Sequence, residues 1–445
     1  MGRKSNSKPL ALYMNGERVG TWRVSAGRHE LQYAESWIAS NNSRPISLRF
    51  PLRPGNAPYL GPEVQNYFDN LLPDTKALRE KIARRFKLDS IDAFPMLESI
   101  GRDCIGALQI LPEDEEPKNV RTIEYKTRST AQIAALLRDT AVPGGNSLNI
   151  DAESEDEFRL SLAGAQEKTA LLWHKNKWAT PIGTTPTTHI LKLPLGLVGN
   201  IGADMSGSVE NEWLCSKIIE AYGLPNANCE ILQFEDQKVL SVKRFDRRLV
   251  AGEHWIQRLP QEDMCQATGT SYLNKYQSDG GPGLDAIMNL LRTAEKGFDD
   301  RRIFYACNVV FWLLAATDGH AKNFSIFINA GGSYALTPIY DVLSAYPIIG
   351  KGRAQIAPQK VKLSMAVRGE SNMHYAVREI QRRHWIATAQ RNGIGAEGEA
   401  IIDELIARTP GAIARVQEQL PRNFPLAIAA PILDGLAKAA KNLAG

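Results

Sequence analysis

Cysteine is scarce and scattered in this chain of 445 residues. Cys104, Cys215, Cys229, Cys265 and Cys307 form no C-x-x-C pair, which argues against a zinc ribbon or a disulfide framework and fits reduced thiols. Long apolar runs are missing as well. The longest, Ile303 to Thr317, is interrupted by Asn308 and is too short to span a bilayer, so a buried helix is expected there and no membrane partner. The basic start Met1-Gly2-Arg3-Lys4 is not followed by an apolar segment, so no secretory signal is expected, and the cytoplasm is the expected location. Neither sign of charge dominates: a formal net charge of +4 is too small to argue for nucleic-acid binding by itself. There is no internal repeat and no long low-complexity tract. What remains is an ordinary globular composition, 43% hydrophobic and 23% charged, long enough for two or three domains with a well-buried core.

The first hundred residues read as a compact α+β unit. A hairpin is expected over residues 10–24, turning at Asn15-Gly16, the dipeptide that accepts the positive backbone angles of a tight turn. Another strand is expected at Ile46–Phe50, helices at Val64–Leu72 and Thr75–Phe86 broken by Pro73-Asp74, and a last strand at Ile105–Leu111. The acidic stretch Pro112 to Pro117 reads as a linker, followed by a helix at Thr130–Asp139 and a solvated acidic run from Asp151 to Glu157. Strands are then expected at Arg159–Leu162, Thr169–Trp173, Trp178–Pro181, His189–Leu193, Glu230–Phe234 and Lys238–Val242. An amphipathic helix is expected at Glu210–Tyr222. From Gly283 to the end the pattern is helical, apart from a strand pair at Phe324–Ile328 and Tyr334–Leu336. The expected fold is therefore α+β and bilobal, a β-rich half preceding a helical lobe.

Chemistry concentrates where the long apolar helix should end. Asp318 is followed by Asn323 five residues later, and Asp341 follows after a further 18. In protein kinases an Asp takes the proton of the substrate hydroxyl, an Asn five residues on and a later Asp hold Mg²⁺ on ATP, and the spacing here matches. The flanking letters of ordinary kinases are absent. His320 and Lys322 lie between the two positions. A His/Asp metal site of Asp318, His320 and Asp341 is a rival reading, but it lacks the helical His-x-x-x-His spacing and further ligands.

Upstream, Ser161-Leu-Ala-Gly-Ala-Gln-Glu-Lys168 is a turn of small residues that would let backbone N–H groups approach phosphates. With Gly164 alone it is neither a Walker A loop nor G-x-G-x-x-G, and a plain hairpin turn is the competing reading. Lys168 either reaches a phosphate or is solvated. Lys192, inside an expected strand, either faces the α/β-phosphates with Glu212 (or Glu210) holding it, or is a half-exposed strand lysine. Lys243-Arg244-Phe245 ends a strand where a kinase would offer its hinge to adenine. Without that context, Arg244 to Arg248 is a surface charge run.

Several segments together resemble the HipA family of toxin serine/threonine kinases. They are Phe68-Asp-Asn-Leu-Leu-Pro-Asp74, Ile100-Gly-Arg-Asp-Cys-Ile-Gly-Ala107, Ser161 to Lys168, Pro186 to Pro194, Arg244-Phe-Asp-Arg-Arg248, Arg258 to Gln266, Ser278-Asp-Gly-Gly-Pro-Gly283, Asp318 to Ser325 and Leu336 to Pro347. They occur in family order across nearly the whole chain. The resemblance implies a kinase-like fold divided into an N-terminal HipA-type subdomain (1–112), a linker and helix (113–157), a nucleotide-binding lobe (158–248) and a mainly helical lobe (249–445). It implies Asp318 as catalytic base, Asn323 and Asp341 as Mg²⁺ ligands and Lys192 as phosphate-binding lysine. ATP would be held by Ala163, Gly164, Ala165, Gln166, Glu167 and Lys168 around the phosphates, by Lys243, Arg244 and Phe245 at adenine, and by His320 and Tyr340 lining the pocket. It further implies self-inactivation by autophosphorylation at Ser161, a HipB-like helix-turn-helix antitoxin that brings operator DNA, and a translation component, glutamyl-tRNA synthetase, as substrate. Two departures stand out. Lys243 occupies a hinge position where an acidic residue is expected, and the loop Arg368 to His374 lacks a lysine cluster for touching DNA. A catalytically silent pseudokinase and a small-molecule or lipid kinase on the same fold are the alternatives. The retained set Lys192, Asp318, Asn323 and Asp341 speaks against the first.

Overall fold

The computed structural model describes residues 8–141, 162–199, 201–252 and 254–445. Ser161 and the acidic run Asp151 to Glu157 lie outside the described residues, as does most of the strand expected at Arg159–Leu162. No helix among the described residues is long and apolar enough to cross a membrane, and all five cysteines are buried free thiols.

The N-terminal unit is an antiparallel five-stranded sheet in the order Tyr59–Leu60, Arg28–Tyr33, Glu17–Ser25, Leu10–Met14, Leu108–Pro112. Asn15 and Gly16 have φ of 50° and 92°, as the expected tight turn requires. Helices Pro62–Asp69, Lys76–Arg85 and Ala93–Ile100 accompany the sheet. Pro62 starts the first of them, where its missing N–H costs nothing. Thr75 caps the second by accepting from the Leu78 N–H. Trp22 stacks on Phe68 at 3.7 Å between ring centres, and Phe94 meets it edge-on at 4.8 Å, which fastens helices to sheet.

The strand expected at Ile46–Phe50 is absent: the segment is a series of bends. Its backbone is satisfied by side chains instead of a ladder. Ile46 N–H donates to the Tyr33 hydroxyl (2.9 Å), Leu48 N–H to Glu262 (2.8 Å) and Arg49 N–H to Ser47 (3.1 Å). Its apolar residues enter cores on both sides: Ile46 and Phe50 the N-terminal unit, Leu48 the helical lobe.

A six-stranded sheet follows, in the order Cys229–Phe234, Gln237–Lys243, His189–Lys192, Lys168–His174, Lys177–Pro181, Tyr125–Thr127. Helix Thr130–Ala141 covers it with Ile133, Ala134 and Leu137 against Leu171, Leu191 and Val239. Helix Ser208–Ala221 was expected to be amphipathic, but its first nine residues are all buried. Strands Cys229–Phe234 and Gln237–Lys243 and helices Gly395–Gln419 and Leu426–Ala444 all pack on it, which encloses that stretch, while Glu220 near its end is exposed. The helical lobe is built around Gly297–Leu313, the buried helix expected from the Ile303–Thr317 run. Beyond Leu336 the reading of uninterrupted helix needs correction: Lys362–Arg368 and Met373–Ala376 pair as an antiparallel hairpin before helix Arg382–Arg391. Leu363 to Val367 are all buried, so this strand has no solvent face to give it a period-two pattern.

The units are joined by a buried cluster of charge. Asp103, on the N-terminal unit, receives Arg247 at 2.9 Å, Arg258 at 3.1 Å and Arg244 at 3.4 Å. Asp246 returns the contact: it accepts the Gly106 N–H at 2.7 Å and pairs with Arg244 and Arg247. The surface charge run considered for Arg244 to Arg248 is therefore wrong for all but Arg248, because Arg244, Asp246 and Arg247 are buried against partners from the N-terminal unit.

Burial alone would raise the Asp103 pKa, but the three guanidinium groups outweigh it and hold the carboxyl well below the usual carboxylate range. The group's contribution to stability is thus complete above about pH 4 and is lost as pH falls toward the folded-state value. Asp103→Ala is expected to destabilise the chain by about 3–5 kcal/mol near neutrality, because it strands buried guanidinium charge. In urea titrations the gap between wild type and Asp103→Asn should narrow as pH drops below about 4. A gap independent of pH would mean that Asp103 carries no buried charge.

Candidate active site

Helix Gly297–Leu313 delivers the acidic loop. Its end is turned by Ala315 in the left-handed region (φ 48°), which brings Asp318 out to the surface. Gly319 must be glycine, since a Cβ there would lie 2.5 Å from the Phe311 ring. Asp318 accepts a 2.8 Å hydrogen bond from the Tyr276 hydroxyl on the same oxygen that lies 3.9 Å from His320 Nε2. Tyr276 also stacks edge-on against His320, with ring centres 5.1 Å apart. Burial lowers the His320 pKa, favouring a neutral imidazole, and its Nδ1 has no partner.

Across from this loop, Lys192 is buried and extends its ammonium to Glu212 at 2.6 Å and to Asp341 at 2.9 Å. Of the two glutamates weighed as its partner, Glu212 holds it, while Glu210 pairs with Lys238 at 2.6 Å. Burial alone would lower the Lys192 pKa, but Asp341 and Glu212 more than reverse this and keep it charged. Asp341 is in turn held well below its ordinary range, by Lys192 and then Lys168, against the cost of burial. Its φ of 62° is uncommon for a residue with a side chain and singles it out as a backbone under constraint. Asn323 is buried, donates its Nδ2 to the Asp341 carbonyl at 2.9 Å, and leaves its Oδ1 without a partner.

Lys168 begins the strand opposite Lys192, which it faces directly in the register. Burial, with the nearby Lys192 charge, lowers its pKa to about 8. Gly164 has φ 108°, and a Cβ there would fall 2.5 Å from the Lys168 ammonium, so the bare backbone and the lysine lie together. The Gly164 carbonyl accepts the Asp74 N–H at 3.1 Å, so the loop rests on the N-terminal unit. Ala163 and Ala165 flank Gly164. Gln166 donates to the Leu193 carbonyl and Glu167 pairs with Lys81 at 3.3 Å, so these two side chains brace the loop.

The Lys243 N–H donates to Asn228 O (2.8 Å) and the Arg244 N–H to Thr188 O (2.9 Å), so neither is free for adenine. The Arg244 side chain belongs to the Asp103 cluster. Phe245 is different: its ring packs against Tyr340 at 5.7 Å and Phe327 at 5.8 Å. The Tyr340 hydroxyl is fixed on the Lys322 carbonyl at 2.8 Å, which leaves its ring as the part available to a ligand.

Several contacts that support the site carry no signal of their own in the sequence. Tyr276 holds Asp318. Asp74 pairs with Lys275 at 2.8 Å, and Lys322 is bound by Asn70 Oδ1 (2.9 Å) and Asp263 (2.8 Å). The Phe68–Asp74 segment therefore supports both the Gly164 loop and the acidic loop. Its only signal was membership of a matching motif, because no spacing rule links Asn70 to Lys322.

Two lobes, a strand lysine held by a helix glutamate, and an Asp–Asn–Asp set between them define a protein-kinase fold. Residues 10–111 match the HipA N-terminal domain and residues 160–413 the HipA-like C-terminal domain. The chain belongs to the HipA family of serine/threonine-protein kinase toxins. It is 32% identical to Y4mE of Sinorhizobium fredii over 92% of each chain. It is 26% identical to the serine/threonine-protein kinase toxin HipA of Shewanella oneidensis over 94% of this chain and 92% of that one. Its fold superposes, with a TM-score of 0.78 and 22% identity, on a Shewanella oneidensis structure of HipA, HipB and operator DNA, covering 98% of this chain and 97% of that one.

Tyr276→Phe removes one hydrogen bond to a carboxylate and nothing else. It should slow phosphoryl transfer roughly tenfold, the rate equivalent of about 1.4 kcal/mol. Nucleotide affinity, measured by titration calorimetry, should not change. An equal fall in affinity and rate would place Tyr276 in the nucleotide site instead.

Proposed function

We propose that this chain is an ATP- and Mg²⁺-dependent serine/threonine protein kinase that acts as the toxin of a toxin–antitoxin pair in the cytoplasm. The observation that carries the reading is the join of Lys192 to both Glu212 and Asp341, with Asn323 beside it. A charged lysine so held is poised to offset the α/β-phosphates of ATP. Gly164 and its neighbours, with Lys168, are suited to the remaining phosphate charge, and Phe245 and Tyr340 offer rings to the base.

Among the described residues no three His, Cys, Asp or Glu side chains cluster as a protein-only metal site. That suits Mg²⁺, which keeps waters and takes most of its other ligands from substrate phosphates. The unpartnered Oδ1 of Asn323 and the Asp341 carboxylate fit such an ion, which when bound would neutralise phosphate charge. Asp318, exposed and oriented by Tyr276, would take the proton of the substrate hydroxyl as that oxygen bonds to the γ-phosphorus and ADP leaves.

The family supports four functional units at 1–112, 113–157, 158–248 and 249–445. It supports a HipB-like antitoxin that brings operator DNA, and glutamyl-tRNA synthetase as the target. Arg368 pairs with Asp285 at 3.4 Å, which leaves the Arg368 to His374 loop little charge for DNA. Autophosphorylation at Ser161 would set roughly −1.5 to −2 charges beside the phosphate loop and oppose ATP.

Asp318→Asn and Asp341→Ala should each abolish transfer of labelled phosphate from ATP while leaving the melting curve close to wild type. Transfer near the wild-type rate in either variant would remove that residue from its role.

A further inference from the structure

The chain between Asp341 and Glu370 contains no carboxylate. Within it Lys351, Arg353, Lys360 and Lys362 are all exposed, and none has an ion pair or side-chain hydrogen bond among the described residues. These four charges match the formal net charge of the whole chain, +4. Some surface arginines elsewhere do find partners: Arg138 pairs with Glu235 and Asp236, and the half-buried Arg382 with Glu399 and Asp403. Four unpaired cations in one short stretch repel one another and gain nothing from the fold.

The stretch is nonetheless well held. Ile356 N–H donates to Ile348 O (2.8 Å) and Gly350 N–H to Ile356 O (3.0 Å), which closes a neck. Inside it the Gly352 N–H donates to the Gln355 side chain at 2.9 Å, so Lys351 and Arg353 stand on a fixed tip. Both ends are tied to the acidic loop. Upstream, Ser344 Oγ donates to Leu314 O at 2.6 Å, at the end of the helix that delivers Asp318. Downstream, Ser364 Oγ donates to the carbonyl of Thr317, the neighbour of Asp318, at 2.6 Å. The Ala366 N–H donates to Gln277, the neighbour of Tyr276, at 2.8 Å. The stretch that carries these cations is therefore anchored at both ends to the segments that carry Asp318 and Tyr276.

We propose that residues 349–362 form a docking surface for an acidic segment of the protein substrate, one that presents its serine or threonine to Asp318 while its carboxylates meet Lys351, Arg353, Lys360 and Lys362. The proposal rests on the kinase reading and supplies the substrate chemistry which that reading leaves open. Complementary charge raises the encounter rate and selects among partners, even where each exposed pair adds little affinity. A protein segment fits better than single-stranded nucleic acid, because residues 349–362 include no aromatic side chain on which a base could stack.

The test uses the full chain and the variant carrying Lys351→Glu, Arg353→Glu, Lys360→Glu and Lys362→Glu. The probe is a fluorescent peptide with one serine among glutamates, followed by anisotropy, with a serine peptide rich in lysine as control. Wild type should bind the acidic peptide in preference to the basic one, more weakly as salt rises, and the variant should lose roughly tenfold or more in affinity for it. ATP affinity of the variant should equal that of wild type, which shows that the fold is intact. Equal binding of both peptides by wild type, or unchanged acidic-peptide binding by the variant, would overturn the proposal. Bulk tRNA displacing the peptide and losing affinity in the same variant would assign the surface to nucleic acid and also overturn it. Failure of the kinase reading looks different: no phosphate would reach any protein while the peptide still bound at these four residues, and the docking surface would stand.

Discussion

Three guanidinium groups close on the carboxylate of Asp103, and none of the three comes from the structural unit that carries it. Arg244 and Arg247 follow the last strand of the six-stranded sheet, and Arg258 ends the strand Ile256–Arg258. A cluster of this kind is costly to desolvate, so it adds less net stability than its short distances suggest. Its effect is geometric. Planar guanidinium forks, each with further bonds to carbonyls such as Cys104 O, accept few arrangements of the two units. The same residues fix where the hinge runs, and so where Phe245 stands.

With the N-terminal unit held in this way, the segment Asn70 to Asp74 falls between two loops that must act together. Asn70 binds Lys322 of the acidic loop, Pro73 and Asp74 carry Gly164 of the small-residue loop, and Asp74 takes Lys275 next to Tyr276. The N-terminal unit is therefore structural support for the candidate site and not an appendage to it. The site itself is organised by charge: Asp341 between two lysines, one of them fixed by Glu212 and the other depressed by burial to about 8. ATP phosphates would enter a place already rich in positive charge, with the orphaned Asn323 oxygen facing no competitor.

Much of this was legible in sequence, and for local reasons. The Asn15-Gly16 turn, the helix ending near Asp318 and the pairing of Lys192 with Glu212 follow from turn chemistry, periodicity and the cost of burying a lysine. What escaped depends on partners far away along the chain. Arg244 looks like a surface charge until Asp103, 141 residues distant, is beside it. Ile46–Phe50 has the composition of a strand, but Tyr33 and Glu262 take its N–H groups. Tyr276 has no motif of its own, and only the fold sets its hydroxyl on Asp318. At Lys243 and Arg244 the backbone N–H groups are taken by the Asn228 and Thr188 carbonyls, contacts that the local sequence does not signal.

One buried charge cluster keeps the N-terminal unit seated and, through it, keeps the Gly164 loop and the acidic loop in register. Hydrogen exchange of Asp103→Asn against wild type, read by mass spectrometry, tests it most directly. The account predicts faster exchange not only at residues 101–107 and 244–258 but also, to a similar degree, at residues 68–74, 162–168 and 318–323. Faster exchange confined to the cluster, with the two loops as protected as in wild type, would contradict it.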